Sequence, residues 1–495
     1  MVRTPCTVLI LGLLGCIAAG AAAAPLYFVS PGEAEGQVVV KATDSEAPQV
    51  RTLIALQQAR AIGWSPDGRY FSFVQLDPVD DPNGARRLFA YDCVEAKALN
   101  ISPRGQDVAG YWWAENSSGI AYLVHIGAED SNTYDVYCHD LTPGSQASKL
   151  NGSIPSAGAA SVFSADGRYL AFPVADPTHS GQVAVADRTT GEAWIATGSL
   201  HVRGHQWSLS GAKLALQTAD EEAGIQTLHV ADAAKRTITR VSGDNESVEG
   251  FSWRPGSTDM AYLIAATGRI GDGVEGQEPV RFKRVLVKLA NTDTGENRRV
   301  SNVYNASQFV WSADGGYYAV SDMAVDPLSG AAQPSIKVGS FSGQMATPQL
   351  VANSSGSAIF AWSPDSKSLA FIMGQYLYRY DVADRKTSVV VDSLTVRDLT
   401  WSPDGRHLAV LTPYAEGGIV VWNVDVFGGT GRIISHAFRG AGMVDWSPQG
   451  DCLLLYMPRG ADTGMLNLLN PTGTPDDVVL VADDATTATW YPVND

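Results

Sequence analysis

Apolar and polar residues alternate along most of this chain in short runs. Tyr70-Phe-Ser-Phe-Val74, Val183-Ala-Val-Ala-Asp187, Leu377-Tyr-Arg-Tyr-Asp381 and Gly418-Ile-Val-Val-Trp-Asn423 show the pattern, and Pro, Gly, Asp and Ser cluster between such runs. Alternation over about 4–8 residues between turn signals predicts short strands, and many of them at even spacing predict an all-β assembly.

The runs belong to a longer repeat. Trp64-Ser-Pro-Asp-Gly recurs as Trp362-Ser-Pro-Asp-Ser, Trp401-Ser-Pro-Asp-Gly and Trp446-Ser-Pro-Gln-Gly, with weaker copies anchored at Trp113, Phe163, Trp207, Trp253 and Trp311. These nine anchors are about 48 residues apart on average, and a period of roughly 20–50 residues signals stacked units of one kind. Each unit reads as four strands. A first strand enters the aromatic, as in Val396-Arg-Asp-Leu-Thr-Trp401, and Pro-Asp-Gly then reverses the chain. Pro presets φ, Asp bonds the local backbone and Gly accepts positive φ. A second strand follows (Arg406-His-Leu-Ala-Val-Leu411), then an apolar third ending in Asp or Asn, then a more polar fourth such as Arg236-Thr-Ile-Thr-Arg-Val241. Four strands per unit of this length predict propeller blades. The aromatic fills the gap between blades and the Asp and Gly shape a turn, so the motif residues are structural rather than catalytic.

The two ends of the sequence complement each other. Leu26-Tyr-Phe-Val-Ser30, Gln37-Val-Val-Val-Lys41 and Val50-Arg-Thr-Leu-Ile54 supply three strands without an anchor, and Ala485-Thr-Thr-Ala-Thr-Trp490 supplies an anchored first strand. Together they make one shared blade, which would remove exposed sheet edges. Nine whole units and one shared unit give about ten. One ring and two smaller rings are both open on this count, and the complementary ends favour one.

The Trp-Ser-Pro-Asp-Gly repeat, followed by a Leu-Ala-Phe-like strand, resembles the TolB-like propeller repeat over nearly the whole mature chain. The resemblance implies the fold and leaves the activity open, because similar blades occur in envelope scaffolds, in prolyl-oligopeptidase-type peptidases and in some sugar-cleaving lyases.

Residues 1–24 read as an export signal preceding a propeller domain over 25–495. Arg3 gives the positive charge, Thr7 to Gly15 the apolar run and Ala18 to Ala24 the small residues for cleavage. Leu13-Leu14-Gly15-Cys16 also fits a bacterial lipobox that would lipidate Cys16, whereas Ala21-Ala22-Ala23 fits ordinary signal peptidase. An uncleaved anchor over Thr7–Ala24 is a third route. All three place the domain outside the cytoplasm: periplasmic, on the cell surface or secreted. Beyond Cys16 there remain Cys93, Cys138 and Cys452, too few for a disulfide framework. Cys93 and Cys138 are read either as a bridge or as free thiols. The formal charge of −17 becomes −18 when Arg3 leaves with the signal. Such a surface repels nucleic acid and anionic lipid.

Catalytic signatures are sparse. Gly339-Ser-Phe-Ser-Gly343 has Phe where a nucleophile elbow needs Ser, and no phosphate-binding loop or His-Glu-x-x-His helix appears. His201-Val-Arg-Gly-His205 is the one local histidine pair. On an inner strand the two would share a face and point at the channel, as two ligands of a metal site. The resemblance adds that lyases of this kind use a His-based metal site. Asp77-Pro-Val-Asp80-Asp81-Pro-Asn83-Gly84 and Asp130-Ser-Asn132-Thr-Tyr-Asp135 carry oxygen ligands but lack EF-hand spacing, and are read as solvated loops.

Loop length discriminates better. The links between second and third strands are long at Gln75 to Arg87, Ala265 to Lys283 and Ser321 to Ser335, on the face opposite the uniform Pro-Asp-Gly turns. Function concentrates on variable loops carried by a rigid frame. The expected function is therefore a non-catalytic scaffold, monomeric, that needs no cofactor and engages a protein or cell-envelope component through that long-loop face. The alternative is a metal-dependent polysaccharide lyase or hydrolase with His201 and His205 in the channel.

Overall fold

The computed structural model describes residues 24–491 apart from 46–47, 77–83, 127–131, 159–160, 176–180, 210, 221, 271–279, 302, 304, 326–331, 342–346, 354–358, 393, 441 and 460–462. Among the described residues, forty strands, β1 to β40 in chain order, form ten four-stranded antiparallel sheets. Nine sheets use four consecutive strands. The tenth joins β40 (Thr487–Trp490) to β1 (Pro25–Pro31), β2 (Gln37–Asp44) and β3 (Arg51–Gln57). The fold is all-β, a propeller of ten four-stranded blades, with one blade shared between the first and last strands as the sequence predicts. Residues 1–23, which include Cys16 and most of the segment expected to be an export signal, lie outside the described residues.

The chain divides into two compact units. Residues 1–106 with 359–495 carry the shared blade and the blades of 60–100, 360–391, 398–433 and 443–485. Residues 107–358 carry the blades of 108–149, 162–195, 201–240, 247–299 and 306–353. Within each unit the core lies between neighbouring blades. Leu377, Trp401, Leu408 and Val424 pack together in the first unit, and Tyr169, Val185, Trp207 and Leu214 in the second.

The repeated aromatic does more than fill space. Its indole N–H donates to the carbonyl of the residue just before the preceding blade's anchor: Trp207 to Val162 (2.9 Å), Trp253 to Gln206 (3.1 Å), Trp311 to Ser252 (3.4 Å), Trp401 to Ala361 (3.1 Å) and Trp446 to Thr400 (3.4 Å). In these five blades one atom ties a first strand to the one before it, and satisfies a polar group that burial would otherwise penalise.

The turn that follows is built the same way in most copies. Ser65 Oγ donates to Asp67 Oδ1 and accepts from the Tyr70 amide, while Asp67 Oδ1 also accepts from the Arg69 amide. The same bonds recur at Ser164/Asp166, Ser363/Asp365 and Ser402/Asp404. Where Gln449 replaces the Asp, Ser447 Oγ reaches Asp451 instead. Gly68 has φ of +70°, and a Cβ there would lie 2.6 Å from the Trp490 carbonyl oxygen, so both conformation and packing require glycine. The Asp ending the third strand has a partner as well: Arg69 donates to Asp92, and Arg168 to Asp187.

Candidate functional site

Within each sheet, strand direction alternates, so the Pro-Asp-Gly turns and the links between second and third strands occupy opposite ends. At the latter end two blades of the 107–358 unit are elongated. β21 (Asp259–Ile270) and β22 (Val280–Asn291) pair over twelve residues, from Asp259↔Asn291 to Ile270↔Val280. β25 (Tyr317–Val325) and β26 (Ala332–Ser340) pair over nine. The ordinary hairpin of β9 (Gly119–His125) and β10 (Tyr134–Asp140) has seven pairs. Five further pairs at about 3.4 Å each extend the β21–β22 hairpin by roughly 17 Å.

This corrects the reading of Ala265 to Lys283 and Ser321 to Ser335 as loops. The described residues of both are strand, and the antiparallel ladder runs through Ala265↔Val285 and Asp322↔Ser335. Residues 271–279 and 326–331 lie outside the described residues, as do 77–83 and 130–131 of the two acidic loops.

The stems of these hairpins are fastened by buried and half-buried polar groups within the unit. Asp322, in the middle of β25, is bonded by Lys337 of β26, Nζ to Oδ2 2.6 Å. Its other oxygen accepts from the Asn305 amide at 2.7 Å, and Asn305 Oδ1 accepts from the Val285 amide of β22 at 3.0 Å. The Met323 amide donates back to the Asn305 carbonyl at 2.9 Å. Asn305 therefore couples the two hairpins side by side. A second cluster grips the β21–β22 stem, where Tyr262 and Lys288 are cross-strand partners. Lys288 Nζ meets Glu246 Oε1 at 2.6 Å, Tyr262 Oη donates to Glu246 Oε2 at 3.2 Å, and Asn297 Nδ2 donates to Tyr262 Oη at 2.6 Å. Burial alone would raise the Glu246 carboxyl. The bonds from Lys288, the Gly243 amide and Tyr262 outweigh it and hold the group below its ordinary range. Burial likewise disfavours the Lys288 ammonium, but the Glu246 bond prevails and its pKa rises. With every charge committed to a partner and Tyr262 wholly buried, the cluster can hold a stem in place but is not disposed to take or give a proton.

The histidine pair falls differently from the expectation. His201 and His205 do lie on a first strand, β16 (His201–Trp207), but the ladder shifts between Val202 and Gly204. His201 opposes Ala219 and His205 opposes Leu216. These partners are three positions apart, and a one-residue slip turns every later side chain to the other face. The bulge thus places the two imidazoles on opposite faces of the sheet. His201 packs against Gly181, whose added Cβ would meet the ring. Among the described residues, no group of three or more His, Cys, Asp and Glu is placed to hold a metal ion. Cys93, Cys138 and Cys452 are buried free thiols, which decides against the bridged alternative, and burial pushes each up to about 12.

The groups that fasten the hairpins carried a sequence signal that motif searching passes over. Asp322 interrupts the apolar run Tyr317–Val325, and Lys337 sits between buried Ile336 and Val338. A charge inside a buried strand needs a partner nearby.

Neither family models nor curated proteins match this sequence. Solved structures do resemble it. A crystal structure of the eukaryotic initiation factor is similar at 14% identity and a TM-score of 0.52, covering 96% of this chain and 100% of that one. TolB from Acinetobacter baumannii is similar at 14% identity, 86% and 83% coverage and a TM-score of 0.29. Oligogalacturonate lyase from Vibrio parahaemolyticus is similar at 15% identity, 82% and 97% coverage and a TM-score of 0.32. At such identities the likeness of the first concerns the fold alone.

Proposed function

We propose that this protein is an exported, non-catalytic propeller scaffold that engages a protein or cell-envelope component through the elongated hairpins of the 247–299 and 306–353 blades. The observation that carries the reading is the β21–β22 hairpin itself. Twelve paired residues, where a blade needs about seven, have no use in closing the blade's own sheet. Extra strand length costs ordering entropy, and a stem fastened by the half-buried Glu246–Lys288 pair, and coupled through Asn305 to the buried Asp322–Lys337 pair, gives a rigid support for whatever its far end touches. Export rests on the leader sequence 1–24. The acidic surface favours partners read by shape and hydrogen bonding over polyanions.

Cross-linking the purified mature chain to envelope fractions, with the linked residues mapped, tests the reading. Links concentrated at 265–285 and 321–335 support it. Reproducible links confined to the Pro-Asp-Gly turn end overturn the surface assignment.

A further inference from the structure

The shared blade lacks the bond that ties five other first strands to the ones before them. Five anchors donate an indole N–H to the carbonyl before the preceding anchor. By that rule Trp490 would bond the Asp445 carbonyl and Trp64 the Thr489 carbonyl. Both bonds are missing: the Nε1 atoms of Trp490 and Trp64 are buried without a partner. The Trp490 indole belongs to β40 itself and the Trp64 indole to β4 (Arg60–Trp64), so the strand that closes the shared blade is held by its four-residue ladder to β1, by the Thr486 and Tyr491 amides that donate to the Val29 and Pro25 carbonyls, and by packing.

The same place carries an ionisable group where other blades have none. In β36 (Met443–Trp446), Asp445 stands just before its anchor, a position filled by Thr400, Ala361 and Thr489 in neighbouring blades. Its cross-strand partner in β37 (Leu453–Pro458) is Leu454, and paired residues share a face. Leu454 packs with Trp490, Leu26 and Phe28. The Asp445 side chain therefore stands on the face turned to β40 and β1. In that packed face β37 contributes Cys452 and Tyr456, both driven further toward neutrality by burial; β39 (Val479–Ala485), which packs on β1, carries Asp483, exposed, and Asp484, half-buried, and neither β1 nor β40 carries a charged residue. Asp451, at the adjoining turn, is taken up by the hydroxyls of Ser447 and Ser45.

We propose that Asp445 makes the seating of β40 against β1 pH-dependent: the neutral carboxyl accommodates the closed seam, and the carboxylate loosens it. Burial, offset only by the Trp446 amide, raises the carboxyl from 3.8 to about 6. A raised acid binds its proton more tightly in the closed state, so closure is favoured below about pH 4 and weakened as pH climbs through about 6. The outcome is a propeller whose closing strand frays in neutral or alkaline surroundings and seats in acidic ones.

Amide hydrogen exchange on the full mature chain tests this, at about pH 5 and about pH 8 after correction for intrinsic rates. Wild type should lose roughly tenfold protection at 487–490 and at the facing amides of β1 on going to the higher pH. Asp445→Asn and Asp445→Thr, the latter using the residue found at 400 and 489, should abolish that difference and keep the high protection at both. Asp398→Asn, on the neighbouring blade's first strand, should behave as wild type. Equal pH dependence in wild type and both Asp445 variants overturns the proposal. So does faster exchange of β40 in the variants at the higher pH, which would mean that the carboxylate accepts a bond holding the seam.

Discussion

Lys337 Nζ lies 2.6 Å from Asp322 Oδ2, and the Asp322 side chain is fully buried. The pair sits where the long β25–β26 hairpin leaves the body of its blade. Because Asp322 also receives the Asn305 amide, and Asn305 in turn receives that of Val285, one carboxylate organises the stems of two adjacent hairpins.

Removing one partner of such a pair strands the other without compensation. Lys337→Met should destabilise the protein by about 3–5 kcal/mol, and the double variant Lys337→Met with Asp322→Leu should recover much of the loss. Urea unfolding of the three proteins checks this. A single variant as stable as wild type would mean that the pair contributes nothing net.

The indole bonds make a graded prediction. Trp401→Phe leaves the Ala361 carbonyl without its donor, whereas Trp490→Phe removes an N–H that has no partner. Both lose similar apolar area, so the first should cost about 1 kcal/mol more than the second. Equal losses by denaturant titration would show that the bond is energetically silent.

The Glu246–Lys288 pair sets a pH response with a defined sign. A carboxyl held below its ordinary 4.5 contributes stability that is complete above that value and lost as pH falls through its lower folded value. A raised ammonium contributes below its ordinary 10.5 and loses that contribution as pH rises through its higher folded value. Glu246→Gln should therefore be less stable than wild type near neutrality, with the gap closing in acid. A gap that widens below about pH 4 would contradict the assignment.

The histidines offer a chemical test. With a bulge turning His201 and His205 to opposite faces, the double variant His201→Ala, His205→Ala should leave the transition-metal content of purified protein unchanged by elemental analysis. Loss of a stoichiometric metal in that variant would favour the enzymatic alternative over the scaffold.

The blades were legible because their determinants are local. Trp-Ser-Pro-Asp-Gly writes a buried aromatic, a hydroxyl, a preset φ, a carboxylate and a positive φ into five consecutive residues, and the structure uses each of them within the turn or against the next blade. The shared blade was legible for the same reason, since β40 carries the anchor that 25–57 lack. The hairpins were misread because strand and loop differ there by cross-strand pairing rather than by composition: Ala265 to Ile270 contains Thr and Gly that a single sequence cannot tell from a loop. The histidine faces were misread because a bulge is one unpaired residue, Arg203, with no composition of its own. Asn305, Asp322, Lys337 and Glu246 escaped notice because their partners lie on other strands.

The central claim is that the β21–β22 hairpin is the binding element and the blade beneath it only its support. Replacing 268–282 with Asn-Gly, which joins the paired Thr267 and Lys283 through a two-residue turn, isolates the hairpin's far end. Binding of this variant to the partner identified by cross-linking should be measured by titration alongside its unfolding midpoint. The account predicts at least a hundredfold loss of affinity, about 2.7 kcal/mol, with the midpoint nearly unchanged. Undiminished affinity in a variant of unaltered stability would contradict it.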